Sequence, residues 1–193
     1  MLDQLNQALE DYFGKWRELI ANRKDEKNKE FFDRLKPVTV GWKVADLDDY
    51  NRVLGELRGA SDQIVEKWMN DRWIAYLHLK DAAVSGGIEV VEILQRRPGR
   101  EDKLGLDFVD FFCTETTNAR VILQEETDIK WTDEKNGGVE WVSLWFSDTE
   151  AKLKTSTPFD IAQEELREIS NKIRGQRFAV GHNDNIPVTV SVE

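Results

Sequence analysis

A chain of 193 residues with 40% apolar content suits one compact domain, or two small modules sharing a core, and a formal charge of −10 with scattered lysines and arginines repels a phosphate backbone. No stretch approaches the roughly 18 consecutive apolar residues of a membrane helix, and MLDQLNQALEDY has neither a basic start nor an apolar signal core, so nucleic acid and membrane are set aside and a cytoplasmic protein is expected. The single Cys113, in the apolar run DFVDFFC, reads as a buried, inert thiol, and two distant histidines without Cys/His ligand spacing limit metal and general-base chemistry.

Residues 1–36 read as a helical segment. Leu2, Leu5, Leu9, Tyr12, Phe13, Trp16, Leu19 and Ile20 recur at three- and four-residue steps and form one stripe. The charged run Asn22 to Glu30 interrupts the stripe, Phe31, Phe32 and Leu35 resume it, and Pro37 ends it, which predicts two helices or one bent helix.

After Pro37 the period becomes two. Val38, Val40, Trp42 and Val44 alternate with Thr39, Gly41 and Lys43 as in a strand. Asp46 or Asp48 can cap a helix carrying Tyr50, Val53, Leu54 and Leu57, which Gly59 stops. Ile64 to Met69 and Trp73 to Leu79 form a hairpin about Asn70-Asp71, and Gly87 to Gln95 supplies a fourth strand. The polar stretch Arg96 to Leu104, with Pro98-Gly99, reads as a linker between a first module, 37–96, and a second, 104–158.

The second module repeats the order. Leu106 to Cys113 is a strand, Thr114 to Glu126 a helix that Thr114 or Thr116 could cap, Ile129 to Phe146 a hairpin turning at Asn136-Gly137-Gly138, and Ala151 to Thr157 a closing strand. Trp42 and Phe108, Asn70 and Asn136, and Trp73 and Trp141 stand at a nearly constant offset, which supports an internal duplication. A helix over 159–175 ends at Gly175, and the tail 176–193 closes with alternating Ile186, Val188, Val190 and Val192, suited to an edge strand. The predicted fold class is therefore α+β: two tandem βαβββ modules about a pseudo-twofold cup, in one compact domain.

This order resembles the vicinal oxygen chelate superfamily, the glyoxalase-like folds. The opening TVGWKV, the segment IEVVEILQRRPGREDKLGLDFVDFF and the ending KTSTPFDIAQEEL, with the N-terminal helices, are similar to YecM-like proteins. The resemblance implies a divalent metal in the cup, held largely by histidines. At the matching positions this chain has Trp42, Phe108 and Thr157, none of them a good ligand for zinc, nickel or iron. The resemblance therefore implies a lost metal site, and no cofactor is expected.

Glu92 and Asp110 remain on the matching strands. Leu106, Phe108, Asp110 and Phe112 share a strand face by alternation, as do Ile88, Val90, Glu92 and Leu94, so each acid stands among apolar neighbours and must be solvated, protonated or paired with Lys43, Arg72, Lys152 or Lys154. Tyr76 and His78 alternate with Ile74 in their strand, and His78 is the imidazole available there as a proton carrier. Trp42, Tyr76, Phe108 and Trp141 read as aromatic walls, with His78, Glu92, Asp110 and Thr157 as polar groups, of a metal-free site for a small organic ligand. Two alternatives stay open: a lyase, isomerase or dioxygenase using a weakly held divalent ion, and a protein-interaction module or homodimer built on the stripe of the N-terminal helices.

Overall fold

The N-terminal stripe folds as α1 (Leu2–Ala21), followed by α2 (Glu26–Asp33), whose first turn is capped by the Asp25 carboxylate accepting from the backbone of Lys27 and Asn28. The structure, a computed structural model, describes residues 1–80, 86–136, 139–146, 148–156 and 190–192. The first module is β1 (Lys36–Val44), α3 (Leu47–Arg58), β2 (Ser61–Met69), β3 (Arg72–Leu79) and β4 (Val90–Gln95). Asp46 caps α3 by accepting from the Asp49 N–H, and the β2–β3 turn places both Asn70 (φ 55°) and Asp71 (φ 61°) in the left-handed region, as a two-residue hairpin turn requires. The second module is β5 (Gly105–Phe112), α4 (Thr116–Glu125), β6 (Lys130–Asn136), β7 (Val139–Phe146) and β8 (Thr149–Lys154). The expected caps Thr114 and Thr116 are not used: Glu115 holds the cap position of α4 and makes no side-chain cap bond. Gly59 follows the end of α3, but at φ −64° it stays right-handed.

The described strands join one sheet in the order β6-β7-β8-β5-β1-β4-β3-β2-β9, where β9 (Val190–Val192) pairs antiparallel with β2. Each module closes its fourth strand parallel against its first, and the two first strands meet antiparallel at the centre. The sequence thus delivers the tandem βαβββ architecture. Across the central seam Thr39 pairs with Asp110 and Gly41 with Phe108, so the pseudo-twofold axis exchanges Thr39 with Phe108 and Gly41 with Asp110. The predicted helix over 159–175, Thr157 and most of the tail lie outside the described residues.

Alternation along the strands divides the sheet into two faces. One, bearing Val40, Leu77, Ile93, Val109, Phe111, Leu144 and Leu153, packs under the helices with Leu5, Leu9, Tyr12, Trp16, Tyr50, Leu57 and Leu123 as the main core. Each such side chain, fully buried, contributes about 1.5–3 kcal/mol. Helix α1 lies over the seam region: Trp16 stacks on Phe111 with ring centroids 4.5 Å apart, and Tyr12 meets Phe146 edge-on. Its two ends are tied to different modules. The Met1 ammonium pairs with Glu56 of α3 at 2.9 Å, while the buried Arg23 guanidinium donates to Glu126 and Asp128, just beyond α4. The centre of the N-terminal stripe, Leu5, Leu9, Tyr12 and Trp16, is therefore buried within its own chain. Among the described residues no helix is long and apolar enough to cross a membrane.

Candidate functional site

The sheet face turned away from these helices carries a second, smaller apolar cluster of Val65, Ile74, Tyr76, Val90, Leu94 and Phe108. Among it stand charges in numbers unusual for a buried surface. β8 reads Glu150, Ala151, Lys152, Leu153, Lys154: its apolar members enter the main core, so Glu150, Lys152 and Lys154 must point to the far face. β5 places Asp110 and Phe108 opposite Lys152 and Glu150, and β4 places Glu92 opposite Gly41.

Phe108 lies across the seam directly over Gly41. A Cβ on Gly41 would come within 2.5 Å of the Phe108 ring, so glycine is what allows the ring to cover the backbone there. The Lys152 ammonium sits over the same ring, 3.3 Å from its centroid, in a cation–π contact. Lys154 donates to Asp110 Oδ2 at 2.9 Å, with both side chains almost wholly buried, and its ammonium also stands 5.4 Å from the Trp141 ring. The Trp141 indole N–H donates to Ser143, whose hydroxyl in turn donates to Glu150. Lys152 approaches Glu150 at 3.8 Å, longer than a hydrogen bond.

Glu92 is an acid whose surroundings disfavour its charge. Burial raises its pKa to about 6, with Asp110 pushing the same way, while Lys154, Lys152 and Arg72 pull it down. Burial, and then the charge of Arg97, likewise hold the Arg72 guanidinium below its ordinary value. Among the described residues, four polar atoms on this face are buried without a hydrogen-bond partner: Glu92 Oε2, Asp110 Oδ1, Thr39 Oγ1 and Arg72 Nε. Each such atom ordinarily costs about 1–3 kcal/mol unless something satisfies it.

Of the residues singled out from the sequence, Tyr76, Glu92, Phe108, Asp110 and Trp141 lie together on this face. His78 shares their side of β3 but lies toward its end, where Nδ1 is 2.7 Å from Asp62 Oδ1. Trp42 is a correction. It alternates with Gly41, not with Val40 and Val44, and so packs against the main core on the opposite face. Leu106 is another: a register shift in β5 skips Asp107, which turns Leu106 toward the core beside Trp42 while Phe108 faces away. Ile88 also enters the main core instead of following Val90. The bulged Asp107 pairs with Lys43 at 2.9 Å, so Lys43 does not serve the acids. Thr157 lies outside the described residues. Cys113 is buried, and burial raises its pKa, as an inert thiol requires. The residues missed are Lys152 and Lys154, considered only as counter-ions, together with Thr39 and Ser143.

The donors that the described residues bring to this face do not fit a divalent ion. Asp110 already holds an ammonium, a second ammonium covers Phe108, and Gly41 and Thr39 bring no strong ligand from β1. Among the described residues no three His, Cys, Asp or Glu side chains are grouped to hold a metal.

No protein-family model matches the chain, and no curated protein matches it. Solved structures do. The chain is similar to a structural-genomics protein, EC4020, at 14% identity, with a TM-score of 0.60 over 85% of this chain and 88% of that one. Looser likenesses include a hypothetical protein, BH1468, from Bacillus halodurans C-125 (14% identity, 64% of this chain and 97% of that chain, TM-score 0.44) and the 2,3-dioxygenase LapB from Pseudomonas sp. KL28 (14% identity, 81% and 66%, TM-score 0.44). At such identities the likeness is one of fold, and the topology above is that of a glyoxalase-like fold.

Proposed function

We propose that this chain is a YecM-like member of the vicinal oxygen chelate superfamily that binds a small organic ligand at the seam of its two modules without a metal. The observation that carries this reading is the set of partnerless buried polar atoms, Glu92 Oε2, Asp110 Oδ1, Thr39 Oγ1 and Arg72 Nε, all on one sheet face. Folded proteins leave few such atoms, and a cluster of them beside aromatic rings suits a site where a ligand supplies the partners. Tyr76, Phe108 and Trp141 supply the apolar contact, and Glu92 and Asp110 the polar anchors. Trp42 supports these residues from the other side of the sheet instead of meeting the ligand.

Native mass spectrometry of the full chain, purified gently and without chelator, tests the proposal. The expected spectrum has a component heavier than the polypeptide that denaturation releases as a small organic compound. A bare chain whose melting temperature no compound of a broad metabolite panel raises would overturn it. So would a near-stoichiometric transition metal on elemental analysis.

A further inference from the structure

We infer that the seam site is a receptor for a small organic anion that also carries a hydrogen-bond donor, with Lys152 as the anion's counter-charge and Glu92 as the donor's acceptor. The inference rests on the ligand-binding reading above and deepens it.

The argument begins with pairing. Of the two ammonium groups on β8, Lys154 is matched by Asp110 at 2.9 Å. Lys152 is not matched so closely: Glu150 Oε2 stands at 3.8 Å, an ion pair without a hydrogen bond, while the other oxygen of Glu150 accepts from Ser143. Its ammonium is held in place over the Phe108 ring, a contact that orients a cation without neutralising it. Arg72 adds a further cation whose Nε has no partner. Among the described residues Lys152 makes no hydrogen bond and Arg72 Nε has no partner, so the donors for a negative group are local, and they act against the general repulsion that a chain of net charge −10 exerts on anions.

The acids supply the second half. Glu92 Oε2 and Asp110 Oδ1 are acceptors without donors, on side chains at least nine-tenths buried. A simple anion would satisfy Lys152 and leave both oxygens bare, whereas a molecule carrying a hydroxyl or amine beside its anionic group satisfies both sets.

Isothermal titration of the full chain separates the parts, using lactate and glycolate (carboxylate with hydroxyl), acetate (carboxylate alone), propane-1,2-diol (hydroxyls alone) and choline (a cation with a hydroxyl). Lactate or glycolate is expected to bind about tenfold or more tighter than acetate, and the diol and choline not at all, since one charge-assisted hydrogen bond is worth roughly that factor. Lys152→Met is expected to weaken lactate binding at least about tenfold, and Glu92→Leu, which removes the acceptor, to abolish the preference for lactate over acetate. A thermal melt of each variant verifies that it is folded, and the ranking of ligands on the unaltered chain stands whether or not the variants fold. Diol or choline binding as tightly as lactate, or lactate binding unchanged in folded Lys152→Met, would overturn the inference. A co-purified neutral or cationic compound in the mass spectrum would sink this inference and leave the ligand-binding reading standing. A bare chain that binds none of these probes and gains stability from no metabolite sinks both.

Discussion

Glu92 makes the far face of the sheet sensitive to pH. Its pKa rises from an ordinary 4.5 in the unfolded chain to about 6 when folded, chiefly through burial, so the folded protein binds its proton more tightly than the unfolded one does. The sign follows: the protonated acid favours the folded state below pH 4.5, and that advantage is lost as the pH climbs through about 6. The shift amounts to about 2 kcal/mol by pH 7. Glu92→Gln, which stays neutral throughout, is accordingly expected to raise the melting temperature relative to the unaltered chain at pH 7.5 and to lose most of that gain at pH 5. Equal gains at both values would show that Glu92 is not the titrating group. Lys154 has the opposite importance. Replacing it with methionine leaves the Asp110 charge buried and unpaired, at a cost of about 3–5 kcal/mol, whereas the double change Asp110→Leu with Lys154→Met should recover most of that loss. Chemical denaturation of the single and double variants measures both.

At the scale of elements, α1 is fixed by its two ends. Arg23 is buried and forks onto Asp128 at 2.7 and 2.6 Å while also reaching Glu126, and Asn28 of α2 donates to the other oxygen of Glu126. One side chain thus joins both N-terminal helices to the second module. Arg23→Ala is expected to cost about 2–4 kcal/mol, because it strands a partly buried carboxylate, and to speed amide exchange in α1 and α2 before the strands. Exchange that quickens uniformly across the chain would contradict this account. The elements themselves were legible in the sequence because their signals are local: the period of two after Pro37, the Asn70-Asp71 turn and the Asp46 cap each act within a few residues. The face assignment of Trp42 was not. It came from aligning aromatic positions between the halves, whereas the seam register pairs Gly41 with Phe108, and the bulge at Asp107 that inverts Leu106 is a property of two strands meeting. A signal for the missed lysines did exist, since Glu150, Lys152 and Lys154 alternate with Ala151 and Leu153, the pattern of a strand with one charged face. That such a face would be buried depends on Phe108 and its neighbours, and no local pattern carries it.

For the whole molecule, the seam decides whether two modules behave as one body. β1 and β5 share a continuous ladder, α1 packs over the region from Met1 at α3 to Arg23 beyond α4, and the main core runs unbroken from Tyr50 and Leu57 to Leu123 and Leu153. Neither module can open without exposing apolar surface that the other covers, so unfolding should be a single cooperative event. The tryptophans permit a sharp test: Trp42, Trp68 and Trp73 report on the first module, and Trp131, Trp141 and Trp145 on the second. Tryptophan fluorescence and far-ultraviolet circular dichroism should give coincident midpoints in urea. Gly41→Val strains the seam itself, since its first added carbon would meet the Phe108 ring at 2.5 Å, and overpacking of this kind costs about 1–3 kcal/mol. If the modules are one body, that substitution lowers both midpoints together. Were fluorescence and dichroism to part in the variant, with one half melting ahead of the other, the modules would be independent folding units, and a site lying between them would be held by the ladder alone.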